Sequence, residues 1–255
     1  MQYSNIAVEK KEGIAWVALD RPQAANAMSR ATLAELAQAF EAAEADDEVK
    51  VIVFTARGKV FTAGADAKEL VSAPPGEFFP ENENPAQMAL ERLTKPVIAA
   101  INGPCFTGGL EMILSCDMIV AAENATFTDA HARYGLVHGW GGSQRLPRTV
   151  GPMRAREIMF TCRPVTAQEA ERIGLVNRVV PADKLEEAVT ELARLILGNS
   201  SISLRVIKSM TRRGLATSLE AGLKIEAQEY VRHMKQGVAK DAQGRIQSFL
   251  GKKKD

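Results

Sequence analysis

A chain of 255 residues can form one large α/β domain, or a core domain with a helical appendage, and can bury its core without a metal or disulfide staple. Its 32 Lys and Arg nearly cancel 31 Asp and Glu, for a formal net charge of +1, which argues against a nucleic-acid-coating surface. Cys105, Cys116 and Cys162 lack CxxC spacing, Met1 to Lys10 lacks an apolar signal core, and no apolar run approaches the ~18 to 20 residues that span a bilayer. The expectation is a soluble, cytoplasmic protein with three reduced, mostly buried cysteines.

In chain order, Ile14 to Leu19 reads as a strand, broken by Arg21-Pro22. Ser29 then caps a helix with Leu33, Leu36, Ala37 and Phe40 on one face. The acidic turn Asp46-Asp47-Glu48 precedes a second strand, Val51 to Thr55. A first glycine turn, Phe61-Thr62-Ala63-Gly64-Ala65-Asp66-Ala67-Lys68, opens a helix. Ser72 to Pro85 carries four of the eleven prolines, with Gly76, Phe78 and Phe79, and reads as a binding loop, a lid or a surface loop.

Val97 to Ile101 is a buried-type strand that leads into a second glycine turn, Asn102-Gly103-Pro104-Cys105-Phe106-Thr107-Gly108-Gly109-Leu110-Glu111. Met118 to Ala122 is a further strand. Strands that alternate with helices imply an α/β core with parallel pairings. From Thr166 onward the pattern is mostly helical, with Leu175 to Val180 as the last strand. Amphipathic segments cover Leu185 to Leu197, Leu204 to Met210 and Leu219 to Tyr230, and Lys252 to Lys254 closes the chain as a short basic run.

Both turns carry the same chemistry. Gly64 and Gly108-Gly109 lack a Cβ, so the backbone can approach a ligand closely, and the helix starts add a positive dipole end. Two N–H groups that converge from separate turns on one oxygen form an oxyanion hole. A single such turn is more often a cap or tight packing. Two of them, spaced across one strand-helix repeat and followed by Glu111, point to a site.

These residues, with Asp20-Arg21-Pro22, Asn26-Ala27, Lys95 to Ala100, Cys116-Asp117, Gly141 to Leu146 and Ala170 to Val180, resemble the crotonase, or enoyl-CoA hydratase/isomerase, superfamily. The resemblance implies an α/β spiral of ββα units over residues 1–197, carrying the acyl-CoA site. It also implies a C-terminal helical region over 198–255 that builds homotrimers, commonly paired into hexamers. By position in the motifs, the N–H groups of Ala65 and Gly108 would grip a thioester carbonyl, and no cofactor beyond the substrate's own CoA is implied.

In hydratases of this family two glutamates act on one water. Glu111 stands at the first position, and the second falls on His131, twenty residues later. Histidine still moves protons near neutrality, so Glu111 would activate water while His131 delivers a proton to the enolate or shares in water activation. In the alternative, His131 is a pocket wall or a partner of Asp129, and Glu111 acts alone, as a double-bond isomerase allows. His138 and His233 read as surface or structural.

For CoA the resemblance points to Gln23, Ala24, Ala63, Ala65, Asp66, Ala67, Lys68 and Gly108, with Lys252 reaching a neighbouring subunit's ligand. Gln23 stands where many relatives carry a lysine. Phe78, Phe79, Met88, Leu110 and Trp140 are candidates for the acyl pocket or for ordinary core. The leading expectation is a lyase that adds water to an α,β-unsaturated acyl-CoA. Behind it stand an isomerase or another reaction of the family, such as a decarboxylase, hydrolase or C–C lyase, and then a non-catalytic acyl-CoA binder. A metal, nucleic acid and membrane are not expected.

Overall fold

The computed structural model describes residues 2–74, 84–235 and 238–251. The chain opens with a hairpin of β1 (Ile6–Lys11) and β2 (Ile14–Leu19), joined by Glu12 and Gly13, both at positive φ (52° and 78°), the geometry that matches strand twist in a two-residue turn. β1 was not expected from the sequence. Past Ile6 and Ala7 its residues are all exposed, so the hydrophobic period that betrays a strand is missing, and its Glu and Lys suit a sheet edge.

Ser29 caps α1 (Arg30–Ala45) by accepting from Thr32 N, and Leu33, Leu36, Ala37 and Phe40 are buried as expected. There follow β3 (Val51–Ala56), α2 (Ala67–Ser72), α3 (Pro85–Arg92), β4 (Val97–Ile101), β5 (Cys105–Phe106), α4 (Gly108–Ile113), β6 (Met118–Ala122) and β7 (Thr126–Thr128). The second half holds α5 (Gly142–Val150), α6 (Pro152–Thr161), β8 (Val165–Thr166), α7 (Ala167–Arg172), β9 (Arg178–Val180), α8 (Leu185–Leu197), α9 (Ser201–Leu215), α10 (Leu219–Lys235) and α11 (Val238–Gly251).

The larger sheet runs β1-β2-β3-β4-β6-β9, parallel throughout except for the β1–β2 pair. The smaller sheet runs β5-β7-β8. The parallel pairings are those expected from the alternation of strands and helices. One correction concerns the last strand, which is confined to Arg178–Val180. Leu175 N and Val176 N both donate to Ala170 O (2.8 and 3.2 Å), so these residues close the end of α7 and bury their side chains there rather than joining the ladder.

The central strands are buried on both faces, as parallel strands are. Ile52, Phe54, Ala99 and Ile101 pack towards α1 and α3, while Val51, Val53, Ile98, Ala100 and Val120 meet Leu185, Val189, Ala193 and Ile196 of α8. Alternation along one strand thus supplies two cores.

Lys208 of α9 ties the C-terminal helices to this body. Its ammonium donates to Asp117 Oδ2 (2.7 Å) and Lys95 O (2.8 Å) and is buried. Asp117 Oδ2 also accepts from Val97 N (2.7 Å) at the start of β4. Asp117 keeps partial access to solvent, so losing its partner costs less than the about 3–5 kcal/mol of a fully buried pair. Lys208→Ala is expected to lower stability by about 1–3 kcal/mol in denaturant titration, the scale of a lost charged hydrogen bond, against less than about 1 kcal/mol for an exposed pair such as Lys224 with Glu220. An unchanged midpoint would show that α9 is held by other contacts.

Candidate active site

The two glycine turns lie side by side. Phe61 N donates to Pro104 O (3.0 Å), and Phe106 N donates to Thr62 O (3.0 Å), beside a parallel bridge of Thr62 with Cys105. Gly64 is at φ 91°, and a Cβ there would lie 2.2 Å from Thr107 Oγ1 and 3.6 Å from Gly108 N. The first turn can touch the second only because this residue is glycine.

Side chains from earlier in the chain hold the first turn. Thr62 Oγ1 donates to Asn26 O (2.7 Å) and accepts from Gly64 N (3.1 Å). Buried Asn26 in turn donates to Arg57 O (2.8 Å) and Val60 O (2.7 Å) and accepts from Arg21 N (2.8 Å).

Two backbone donors of this scaffold are left over. Met28 N donates to Gly64 O, and Asp66 N donates to Met28 O. That pattern passes over the Ala65 N–H, which has no partner among the described residues. Gly108 N is the first helical N–H of α4 and likewise has none there. Before it stands Thr107 at φ 41° and ψ −108°, a strained conformation for a β-branched residue. Thr107 is pinned by its N–H to Thr128 O (2.8 Å), so strain at the helix entry is maintained by the smaller sheet.

Glu111 sits in the first turn of α4 and is buried. Its Oε1 accepts from Trp140 N and Gly142 N, each at 2.9 Å, which leaves Oε2 facing His131 Nε2 at 3.3 Å. Arg145 secures the donor loop: its Nη1 donates to Trp140 O (2.8 Å) and its Nη2 to Glu91 Oε1 (2.5 Å). The Trp140 ring covers Gly108, where an added Cβ would lie 2.4 Å from Cζ3.

His131 is buried between two carboxylates. Its Nδ1 is 2.9 Å from Asp129 Oδ1, which also accepts the His131 backbone N–H (3.2 Å). His138 Nε2 reaches the other oxygen, Asp129 Oδ2, at 2.5 Å. Burial opposes charge on the His131 ring, but the bonds to Asp129 and Glu111 overcome it and lift its pKa to about 9. Burial also opposes charge on Asp129, and the two imidazoles outweigh it and hold that carboxyl well below the usual range.

Asp129, His131 and His138 have the composition of a metal-ligand set. Each ring nitrogen, however, meets a different oxygen of the one carboxylate at hydrogen-bond distance. The arrangement is that of a carboxylate bridging two imidazoles. On its far side the His131 ring sets Nε2 against Glu111 Oε2, a proton acceptor in contact with an N–H acid.

The residues expected at the CoA subsite divide. Gln23 and Ala24 lie on a short 3₁₀ turn, Pro22–Ala24, next to Ala25, whose carbonyl accepts from Ala63 N (2.9 Å). Ala63, Ala67 and Lys68 are exposed. Asp66 has internal work: it accepts from Arg21 Nη1 (3.2 Å) and caps α2 at Lys68 N (3.1 Å). Lys252, Phe78 and Phe79 lie outside the described residues. Leu110 belongs to the core, and His233 pairs with Glu229 (3.1 Å) on α10.

His138 and Arg145 are the site residues that sequence reasoning missed. Their signal was slight: two of the three histidines fall within eight positions of each other in a segment that also holds Asp129.

The family model for enoyl-CoA hydratase/isomerase matches residues 9–255. A probable peroxisomal enoyl-CoA hydratase 1 of Arabidopsis thaliana is 38% identical over 96% of this chain and 93% of its own length. A crotonyl-CoA hydratase of Syntrophomonas wolfei is 35% identical over 99% and 100%. The crystal structure of an enoyl-CoA hydratase from Bacillus anthracis superposes with a TM-score of 0.92 at 36% identity, covering 98% of this chain and 97% of that one. Among the described residues no helix is long and apolar enough to cross a membrane. With its crotonase-type α/β fold of two sheets and C-terminal helices, the chain belongs to the enoyl-CoA hydratase/isomerase family of acyl-CoA enzymes.

Proposed function

We propose that the protein is an enoyl-CoA hydratase that uses a carboxylate and an imidazolium where two carboxylates are usual. The observation that carries this reading is the 3.3 Å contact of Glu111 Oε2 with His131 Nε2, one turn of α4 away from the N–H of Gly108, which has no partner among the described residues. The thioester oxygen accepts from the Ala65 and Gly108 N–H groups, which draws electrons from the double bond and makes Cβ electrophilic. Glu111 takes a proton from water as its oxygen bonds to Cβ, and charge collects on the thioester oxygen as an enolate. His131 Nε2–H then protonates Cα. Glu111 now holds a proton and His131 lacks one, so transfer across their contact restores both, and the sum is one water added.

Gln23, Ala24, Ala63, Ala67 and Lys68 are assigned to the CoA moiety. Asp66 shapes that wall through Arg21 and α2, and Lys252 is assigned to a neighbouring subunit's ligand. Residues 1–197 form the catalytic body in this reading, and 198–255 the assembly region, in a homotrimer or hexamer. Exposed Leu215, Leu219, Leu223, Phe249 and Leu250 on the C-terminal helices support self-association, since large apolar patches on a surface mark contact sites. Three free cysteines fit a reducing compartment such as the cytoplasm.

Crotonyl-CoA and a panel of 2-enoyl-CoA and 3-enoyl-CoA esters, followed by mass and double-bond absorbance, test the reading. Gain of one water is the expected result. A double-bond shift without mass change would favour an isomerase, which a single carboxylate beside an imidazolium can also support. Because His131 must carry its proton, hydration should fall as pH rises through about 9 and stay flat through neutrality on that limb. His131→Ala should remove the limb and lower kcat by about 10²-fold or more, the usual scale of general acid catalysis. A His131→Ala enzyme with full rate would sink the proton-transfer role.

A further inference from the structure

His131 can serve Glu111 only if the correct ring nitrogen faces it. An imidazole turned by half a revolution about its Cβ–Cγ bond presents carbon where nitrogen stood, and the neutral ring has two tautomers. Something must select one ring orientation and one site for the hydrogen.

The groups that face His131 are Glu111 from α4, Asp129 from its own segment and, through Asp129, His138 from the loop before α5. Asp129 is buried, and both of its oxygens are occupied: Oδ1 by His131 Nδ1 and the His131 backbone N–H, Oδ2 by His138 Nε2. The two rings lie 4.4 Å apart between centroids, tilted by 45°. A carboxylate accepts only, so each ring nitrogen that meets it must present N–H. Nδ1 of His131 is thereby committed as a donor, and Nε2 is turned to Glu111. His138 sits beside Val137, which is 86% exposed, so this clamp comes from a surface turn rather than from the core.

We propose that Asp129 is a positioning residue for the hydration, fixing His131 with hydrogen on Nδ1 and Nε2 towards Glu111, and that His138 positions Asp129 in turn. The proposal rests on the proton-transfer role given to His131 above. It accounts for a buried carboxylate that would otherwise be costly to keep charged, and it assigns work to a second histidine outside the reacting pair.

The test pairs kinetics with ring spectroscopy. The chain has only three histidines, so ¹⁵N-imidazole-labelled protein gives a small set of ring signals, assignable with His138→Gln and His233→Gln variants. In the native protein His131 should show hydrogen on Nδ1 through the alkaline titration. Asp129→Asn keeps the shape, but its amide can offer an acceptor to only one ring. It should lower kcat by about 10²-fold with KM little changed, move the alkaline limb to lower pH, and mix the His131 tautomers. His138→Ala should give a smaller loss in the same direction, and His138→Gln, whose amide N–H can still donate to Asp129, should recover much of it.

A limb and ring spectrum unmoved in Asp129→Asn would overturn the proposal, even if stability fell, because that is the signature of a merely structural carboxylate. Should the native enzyme hydrate none of the esters, the hydratase reading fails. The ring spectra then still decide whether Asp129 sets the His131 tautomer.

Discussion

Glu111→Gln is expected to lower kcat for hydration by about 10²–10⁴-fold, the range contributed by a positioned general base, while leaving the fold intact. The substitution is nearly isosteric. Its amide oxygen can still accept from Trp140 N and Gly142 N, the two N–H groups that fix Oε1 at 2.9 Å. That anchoring forces the amide nitrogen into the place of Oε2, opposite His131 Nε2. There a hydrogen-bond donor meets a donor, and neither can accept a proton from water.

The effect should fall on kcat, because in the proposed reading the thioester oxygen accepts from the backbone N–H groups of Ala65 and Gly108, which this change does not touch. His131 should also lose part of the support that raises it to about 9, since Glu111 is one of its two carboxylate partners. Stopped assays on crotonyl-CoA with a parallel melting curve check both points. A Glu111→Gln enzyme that hydrates at the native rate would mean that water is activated elsewhere.

The same protonation argument has a stability side. His131 is raised in the folded state, so its pairing stabilises fully below the unfolded value near 6.5 and is lost as pH climbs through about 9. Asp129 is depressed, so its share is present above the ordinary aspartate value and is lost in acid. The Asp129–His131 pair thus supports the fold most between those limits, which is also the range in which the proposed tautomer would be held.

How far the sequence announced this arrangement depended on the type of signal. Strands β2, β4 and β6 were legible to the residue, because a continuous apolar run bounded by turn residues leaves little choice. The edge strand β1 was not, since pairing through Glu12-Gly13 makes it a strand with hardly any buried side chains. Leu175 and Val176 misled for the opposite reason: apolar residues tied to a helix end look the same as a strand in composition.

At the site, the paired glycine turns, Glu111 and His131 stood out because glycine and charge are rare in apolar surroundings. The N–H groups of Trp140 and Gly142 that aim Glu111 carry no side-chain signature. Arg145 and His138 act through a carbonyl and a shared carboxylate, contacts that exist only once α5 and its preceding loop are folded onto α4.

That dependence of the chemistry on one loop gives Gly108→Ala a large expected effect. Its methyl group would lie 2.4 Å from Trp140 Cζ3 and 2.9 Å from Cε3, well inside contact distance, and the ring cannot simply step aside. Trp140 is 8% exposed, its N–H is committed to Glu111 and its carbonyl to Arg145. Either the start of α4 moves, shifting the Gly108 N–H from the thioester oxygen, or the tryptophan moves and takes the Glu111 anchor with it.

Losing one oxyanion donor costs about 10²–10³-fold in kcat, and overpacking of this kind costs about 1–3 kcal/mol of stability. Both are expected together in Gly108→Ala. Shortening the ring separates them: Gly108→Ala combined with Trp140→Leu should regain most of the stability and a large part of kcat, because the space returns while the Trp140 backbone N–H is kept. If the double variant regains stability but no rate, the methyl group itself blocks the acyl oxygen. If Gly108→Ala alone hydrates normally, the thioester oxygen is not held at the head of α4.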